Sequence, residues 1–271
     1  MEYKNLKFER QDTIGVLTLN RPDKLNAISV ELANELVHFF TSLQDDLQTR
    51  VIILRGEGRA FCAGIDLNDM AKHMESLGDG KLGKMQYGHR FGRKYQDIVL
   101  SMRQSPQPLI AAIRGPAVGA GFSVCMACDV RIASQSARFN AAFIRIGLSG
   151  GDMGSTYFLP RLIGFSRAAE LLYTGRFIDA ATAERIGFVS KVVPDEQVDT
   201  AAMELAKEMV QNSPFGLRMT KELLNMNIDA PSMESAVQLE NRSQTLCGFT
   251  DDAKEAQRAF FEKRTPQFKD Q

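Results

Sequence analysis

Two short runs of consecutive apolar residues, Val51-Ile-Ile-Leu and Leu109-Ile-Ala-Ala-Ile, are each followed at once by glycines. A continuous apolar run of this length reads as a strand buried on both faces, the habit of a parallel sheet covered by helices. Gly56 and Gly58 follow the first run, and Gly115, Gly119 and Gly121 follow the second. Thr13-Ile-Gly-Val-Leu-Thr-Leu reads as another strand, closed by the turn Asn20-Arg-Pro-Asp. Val130-Arg-Ile-Ala reads as a fourth strand, preceded by a short apolar helix. Ser29 is placed to cap a helix that carries Leu32, Leu36, Phe39, Phe40 and Leu43 on one face. Strands alternating with helices argue for an α/β core of stacked βαβ units.

Two stretches depart from this pattern. Residues 70–93 are polar and glycine-dotted, which predicts a long functional or disordered insertion. From about Phe177 the pattern reads as all helical. Leu205, Met209, Leu217, Leu223 and Leu224 give helical faces, and Asp251 to Lys263 gives a last helix with Ala253, Ala256, Phe260 and Phe261. The expected organisation is an α/β core over residues 1–195 and a helical C-terminal region over 196–271 whose apolar faces are built to pack on something, such as another subunit.

Charge limits the partners. Lys+Arg and Asp+Glu both number 33, so there is no basic excess to favour nucleic acid or an anionic membrane. No apolar run reaches the length of a membrane span, and the charged start lacks a signal-peptide core. The end, Phe268-Lys-Asp-Gln, is not a peroxisomal address. A cytoplasmic location is the expectation. Cys125 and Cys128 form a CxxC, but inside the apolar run Phe122-Ser-Val-Cys-Met-Ala-Cys they read as buried structural thiols rather than redox groups.

The glycine turns carry the chemistry. Arg59-Ala-Phe-Cys-Ala-Gly-Ile-Asp-Leu follows one buried strand, and Gly115-Pro-Ala-Val-Gly-Ala-Gly-Phe-Ser follows the other and opens a helix. Small residues let a ligand approach the backbone, and a helix N-terminus adds unpaired N–H donors. Two such turns from neighbouring strands can aim two N–H groups at one oxygen, which is an oxyanion hole.

These segments resemble the signature of the crotonase (enoyl-CoA hydratase/isomerase) superfamily. The resemblance rests on Asn20-Arg-Pro…Lys24-Leu-Asn-Ala, Ala60-Phe-Cys-Ala-Gly-Ile-Asp-Leu, Ile113-Arg-Gly-Pro-Ala-Val-Gly-Ala-Gly, Cys128-Asp-Val-Arg-Ile-Ala and Leu159-Pro-Arg-Leu-Ile-Gly. It continues through Ala169-Glu-Leu-Leu-Tyr-Thr-Gly, Ala183-Glu-Arg-Ile-Gly-Phe-Val and Phe260-Phe-Glu-Lys-Arg. It implies a crotonase-like spiral of ββα units with a helical C-terminal trimerisation region, assembled as a homotrimer or a hexamer. It implies an acyl-CoA substrate, of which coenzyme A is a part, and no metal or redox cofactor. The thioester oxygen would sit between the N–H groups of Ile65 and Ala120. The CoA would lie along the first turn, near Ala63, Asp66 and Leu67, with Gly119 in the second turn. Lys24 would lie near the phosphates, and Phe260 and Lys263 would approach from a neighbouring subunit. The alternative reading of Lys24 and of Lys263 is a solvated surface lysine.

The chain also departs from that family. Of the two glutamates that a hydratase uses, the first place holds Ser123 and the second Phe143. A serine hydroxyl cannot serve as a base near neutral pH without activation. The nearby carboxylate is Asp152, in Gly150-Gly-Asp-Met-Gly, which matches the aspartate of some isomerases of the superfamily. Its other reading is the N-cap of a helix starting near Gly154. An apolar pocket, to which Phe143 and Phe122 would contribute, would raise its pKa above the ordinary value of about 3.9. His38 reads as structural, and His73 and His89 as either a second acid/base or loop histidines. The expected reaction is double-bond isomerisation with Asp152 as acid/base. The alternatives are a divergent hydratase, another CoA-thioester hydrolase or lyase, and a non-catalytic acyl-CoA binder.

Overall fold

The apolar runs form the middle of a six-stranded sheet. The computed structural model describes residues 2–75 and 83–271. Strands β1 (Leu6–Gln11), β2 (Ile14–Leu19), β3 (Val51–Gly56), β4 (Leu109–Ile113), β6 (Val130–Ser134) and β9 (Lys191–Val193) lie side by side in that order. Only the β1–β2 pair is antiparallel; the other pairs are parallel. Strand alternation divides the central runs between two cores. Ile52, Leu54, Leu109, Ala111 and Ile113 point into the larger core. Val51, Ile53, Ile110 and Ala112 point into the other.

Helices cover both faces, which is why the runs are apolar throughout. On one side lie α1 (Val30–Ser42), α3 (Lys84–Gln104) and α4 (Ala120–Ala127). Ser29 caps α1 as expected, its hydroxyl accepting from Leu32 N–H. On the other side lies α8 (Val198–Met209), which shares its core with the sheet through Val198, Ala201, Ala202 and Ala206. The division expected at 195/196 therefore runs between β9 and the helix that covers the sheet.

A second, smaller sheet holds β5 (Pro116–Val118), β7 (Arg138–Asn140) and β8 (Ile178–Asp179), in that order. The chain repeatedly lays one strand in the large sheet, one in the small sheet, then a helix, as in β4-β5-α4. After β3 the second strand shrinks to isolated bridges, Cys62 with Ala117 and Ile65 with Ile28. The Cys62–Ala117 bridge brings the two glycine turns together, and the other ties the first turn to Ile28.

Two expectations are corrected. The polar stretch from residue 70 is largely helical: α2 spans Leu67–Glu75 and α3 spans Lys84–Gln104. Residues 76–82 lie outside the described residues. Phe91, Tyr95, Ile98, Val99 and Met102 form the buried stripe of α3, at helical spacing among exposed polar residues. The region after Phe177 is not all helical, because β8 and β9 complete the two sheets. They are only two and three residues long, too short to leave a periodic signal.

After α5 (Ser155–Ile163), α6 (Phe165–Thr174) and α7 (Ala180–Arg185) come α8 and the tail helices α9 (Pro214–Asn227), α10 (Met233–Gly248) and α11 (Asp251–Glu262). Lys221 pins α9 to the core. Its buried ammonium donates to Gln107 O at 2.7 Å and pairs with Asp129 at 3.2 Å. Among the described residues, no helix is long and apolar enough to cross a membrane.

Candidate active site

Around Ile65 the first turn is bonded to Ile28. Ile28 N–H donates to Gly64 O at 2.7 Å, and Asp66 N–H donates to Ile28 O at 3.0 Å. In extended chain, successive backbone groups point to opposite sides. The N–H of Ile65, between those two bonded residues, therefore faces away from Ile28. On that side lies the second turn, bonded through Cys62 N–H to Pro116 O at 3.1 Å and Val118 N–H to Cys62 O at 2.9 Å.

Glycine is required at the crossing. A Cβ on Gly121 would sit 2.2 Å from Cys62 O. Gly64 has φ +100°, and a Cβ there would sit 2.9 Å from Val118 O and 3.7 Å from the nitrogen of Ala120. Gly119 N–H donates to Asn140 O at 2.8 Å, and Ala120 is the first residue of α4. An amide in the first turn of a helix has no partner within that helix.

Sequence reasoning missed what orients the first turn. Asn26 is fully buried at φ +56°, and its side-chain amide donates to the carbonyls of Glu57 and Ala60. Its side-chain oxygen accepts from Arg21 N–H. Arg21 pairs with Asp66 at 3.0 Å. Asn26 belongs to the Lys24-Leu-Asn-Ala motif, and an asparagine tolerates this left-handed backbone better than most residues.

Asp152 comes up against the second turn. Ser123, one helical turn into α4, donates its hydroxyl to the backbone carbonyl of Asp152 at 3.3 Å. Phe143 is buried, and its ring is in van der Waals range of a Cβ built on Gly119. The Asp152 carboxylate accepts from Met153 N–H at 2.8 Å and from the side chain of Gln96 on α3. Burial raises its pKa above the ordinary carboxylate value, and those two hydrogen bonds only partly oppose the rise. Gln96 carried no signal, being one polar position on an amphipathic helix.

The helix-cap reading of Asp152 fails. Gly154, in the left-handed conformation, is the N-cap of α5 and has no side-chain cap. Asp152 takes part through its backbone, its carbonyl accepting from Ser155 N–H.

Asp152 also opens onto a cavity of about 1510 Å³ between α3, α5, α9 and α10. The walls include Asp152 and Gln96 but not Ile65, Gly119, Ala120, Ser123 or Phe143. Asp152 is thus the junction between the glycine turns and the cavity. Phe122, expected to line an acyl pocket, instead packs in the core with Phe139 and Phe188. It precedes Ser123 on α4, so it faces a different side of that helix.

The remaining candidates are spread along the molecule. Ala63 and Asp66 are half-buried on the first turn, and Leu67 is exposed at the start of α2. Burial would raise the Asp66 carboxyl, but bonds from Arg21 and the Asp69 N–H hold it below its ordinary value. Lys24 is exposed beside this turn. Phe260 and Lys263 are exposed at the end of α11. His73 Nδ1 lies 2.9 Å from Asp69 O, and its ring packs on Phe91. His89 is exposed on α3, and His38 hydrogen-bonds Tyr3 at 2.9 Å. Cys125 and Cys128 are fully buried free thiols. Burial pushes Cys128 up to about 12 and Cys125 well above the ordinary thiol value, so both stay protonated and inert.

Comparison with known proteins gives the family. The enoyl-CoA hydratase/isomerase family model matches residues 9–271. The "probable enoyl-CoA hydratase EchA12" of Mycobacterium tuberculosis is 38% identical over 260 residues, covering 95% of this chain and 90% of the relative. The 1,2-epoxyphenylacetyl-CoA isomerase of Escherichia coli K12 is 35% identical over 255 residues, 94% of each chain. The crystal structure of an enoyl-CoA hydratase from Bacillus anthracis superposes with a TM-score of 0.91 at 34% identity, over 99% of this chain and 100% of the other. The fold is crotonase-like. The chain is an enzyme of the enoyl-CoA hydratase/isomerase family.

Proposed function

We propose that the enzyme moves a carbon–carbon double bond in an enoyl-CoA, with Asp152 as its acid/base. The observation that carries this reading is Asp152 itself: a half-buried carboxyl, raised in pKa by burial, held against α4 by Ser123, in a chain whose two hydratase glutamate places hold Ser123 and Phe143. The thioester oxygen lies between Ile65 N–H and Ala120 N–H. Asp152 takes a proton from the α-carbon of a 3-enoyl thioester. The electron pair spreads through the thioester and the double bond as a dienolate. The proton returns at the γ-carbon, leaving a 2-enoyl thioester. Each oxyanion donor contributes a factor of ~10²–10³ in rate. Coenzyme A would run along Ala63, Asp66 and Leu67 toward Lys24.

A second reading, hydration, is favoured by the name of the Bacillus anthracis neighbour. Offering 3-enoyl-CoA and 2-enoyl-CoA separately tells them apart. Faster migration of the 3-enoyl bond is expected, and faster hydration of 2-enoyl-CoA would replace the isomerase with a hydratase. Tight binding with turnover of neither would leave an acyl-CoA binder.

The tail bears on assembly. Met233, Phe249, Phe260 and Phe261 on the tail helices and the turn between them are 83%, 80%, 78% and 81% exposed. We expect a trimer or hexamer with residues from about 200 onward in its interface. Analytical ultracentrifugation at micromolar concentration checks this, and a monomer would reject it.

A further inference from the structure

We infer that the enzyme is selective for long, uncharged hydrocarbon acyl chains, housed in the cavity between α3, α5, α9 and α10. The inference rests on the reading of Asp152 as the acid/base, since it is Asp152 that joins this cavity to the glycine turns.

Three observations support it. The first is size: about 1510 Å³ exceeds the roughly 300–1,000 Å³ common for small-molecule sites. Its walls take in Asp152, α3 from Gln96 to Gln104, and Met126 on α4. A helix rises about 12 Å over that stretch of α3. A short acyl group would leave most of this length empty.

The second is lining. Leu100 on α3, Leu224 and Ile228 at α9, and Val237 on α10 are 52%, 63%, 47% and 52% exposed, and all four line this cavity. They come from three elements that converge on the cavity.

The third is charge. The arginines of the walls are committed elsewhere. Arg103 pairs with Asp129 at 2.8 Å and Arg161 with Asp229 at 2.7 Å. Arg131 donates to the carbonyls of Phe188 and Cys128 at 2.6 and 2.7 Å. An acyl chain with an anionic end would have to break one of these pairs. A plain hydrocarbon disturbs none of them.

The test is a length series on the full enzyme: 3-hexenoyl-, 3-octenoyl-, 3-dodecenoyl- and 3-hexadecenoyl-CoA, each with its 2-enoyl counterpart. kcat/KM is expected to climb along the series, by up to about fourfold for each methylene that becomes buried. Val237→Trp, which places an indole in the cavity, is expected to lower the long-to-short ratio at least tenfold (an order-of-magnitude expectation from the same methylene factor). The milder Leu224→Phe should act in the same direction. A flat or falling series in the wild type, which needs no variant, overturns the inference. So does a Val237→Trp enzyme whose ratio is unchanged but whose sedimentation differs, because another copy of the chain then fills the cavity. Asp152→Asn across the same series separates the two claims. Full activity at every length with the length preference intact would sink the assigned base and leave the chamber standing. Lost activity with a flat wild-type series would do the reverse.

Discussion

Asp152→Asn is expected to lower turnover of the best enoyl-CoA substrate by roughly 10²–10⁴, the usual contribution of a general acid–base group. An amide keeps the shape of the carboxylate and can still accept from Met153 N–H, but it cannot carry a proton between two carbons. The same change is expected to leave the melting temperature at neutral pH unchanged or slightly higher, and the sign follows from the direction of the pKa shift. Burial raises the carboxyl above its ordinary 3.8. Between that value and the raised one, the folded chain holds more protons than the unfolded chain. The stability that Asp152 contributes is therefore complete below the ordinary value and is lost as pH rises through the raised one. At pH 7 the wild type bears the cost of a half-buried charge that asparagine does not have. The acid limb of kcat/KM should lie above the ordinary carboxylate range, since the base works only when ionised. The measurements are turnover, a pH profile and a thermal melt on the same preparation. Near wild-type turnover in Asp152→Asn would remove Asp152 from the chemistry.

What could be read in advance depended on whether a residue's role is written in its neighbours along the chain. β3 and β4 were legible because a strand buried on both faces has no polar position. α1 was legible because its stripe and its cap coincide. The two glycine turns were legible as a pair, since each closes a buried strand. α3 was not, because the five buried apolar residues of its stripe sit among many more polar ones and only the packed fold picks out the stripe. β8 and β9 are strands by virtue of their partners, not of their composition. At the site, the departure from the hydratase pattern and the nearness of a carboxylate could be read from residue types. That Phe122 turns into the core, that Gln96 reaches Asp152, and that Asp152 borders a large cavity all depend on contacts between distant segments. Asn26 lay in a quoted motif without a role, because its partners Glu57 and Ala60 are more than thirty residues away.

Gly121→Ala is expected to disable the enzyme from a residue that touches no reacting atom. The added Cβ would sit 2.2 Å from Cys62 O, 2.7 Å from Cys62 Cβ and 2.9 Å from Cys62 C. No flexible side-chain end can swing aside, because the nearest atom is backbone and Cys62 is fully buried. The turns must separate, and the bond from Val118 N–H to Cys62 O is the first to stretch. Ile65 follows Cys62 on one turn and Ala120 precedes Gly121 on the other, so their amides move apart together. Overpacking of this kind typically costs about 1–3 kcal/mol, a fall of roughly 2–12 °C in melting temperature for a chain of this size. Losing one oxyanion donor adds a factor of ~10²–10³ in kcat. A Gly92→Ala control separates the local clash from the general effect of adding a methyl group. Gly92 lies within α3 with open space around its Cβ position. Alanine there should stabilise by about 1 kcal/mol through helix propensity alone. A Gly121→Ala enzyme with a lowered melting temperature but undiminished kcat would show that the two turns do not act on one oxygen. A large fall in kcat at a temperature where the variant remains folded is the expected result, because the spacing of the two amides is set by backbone contact at this glycine.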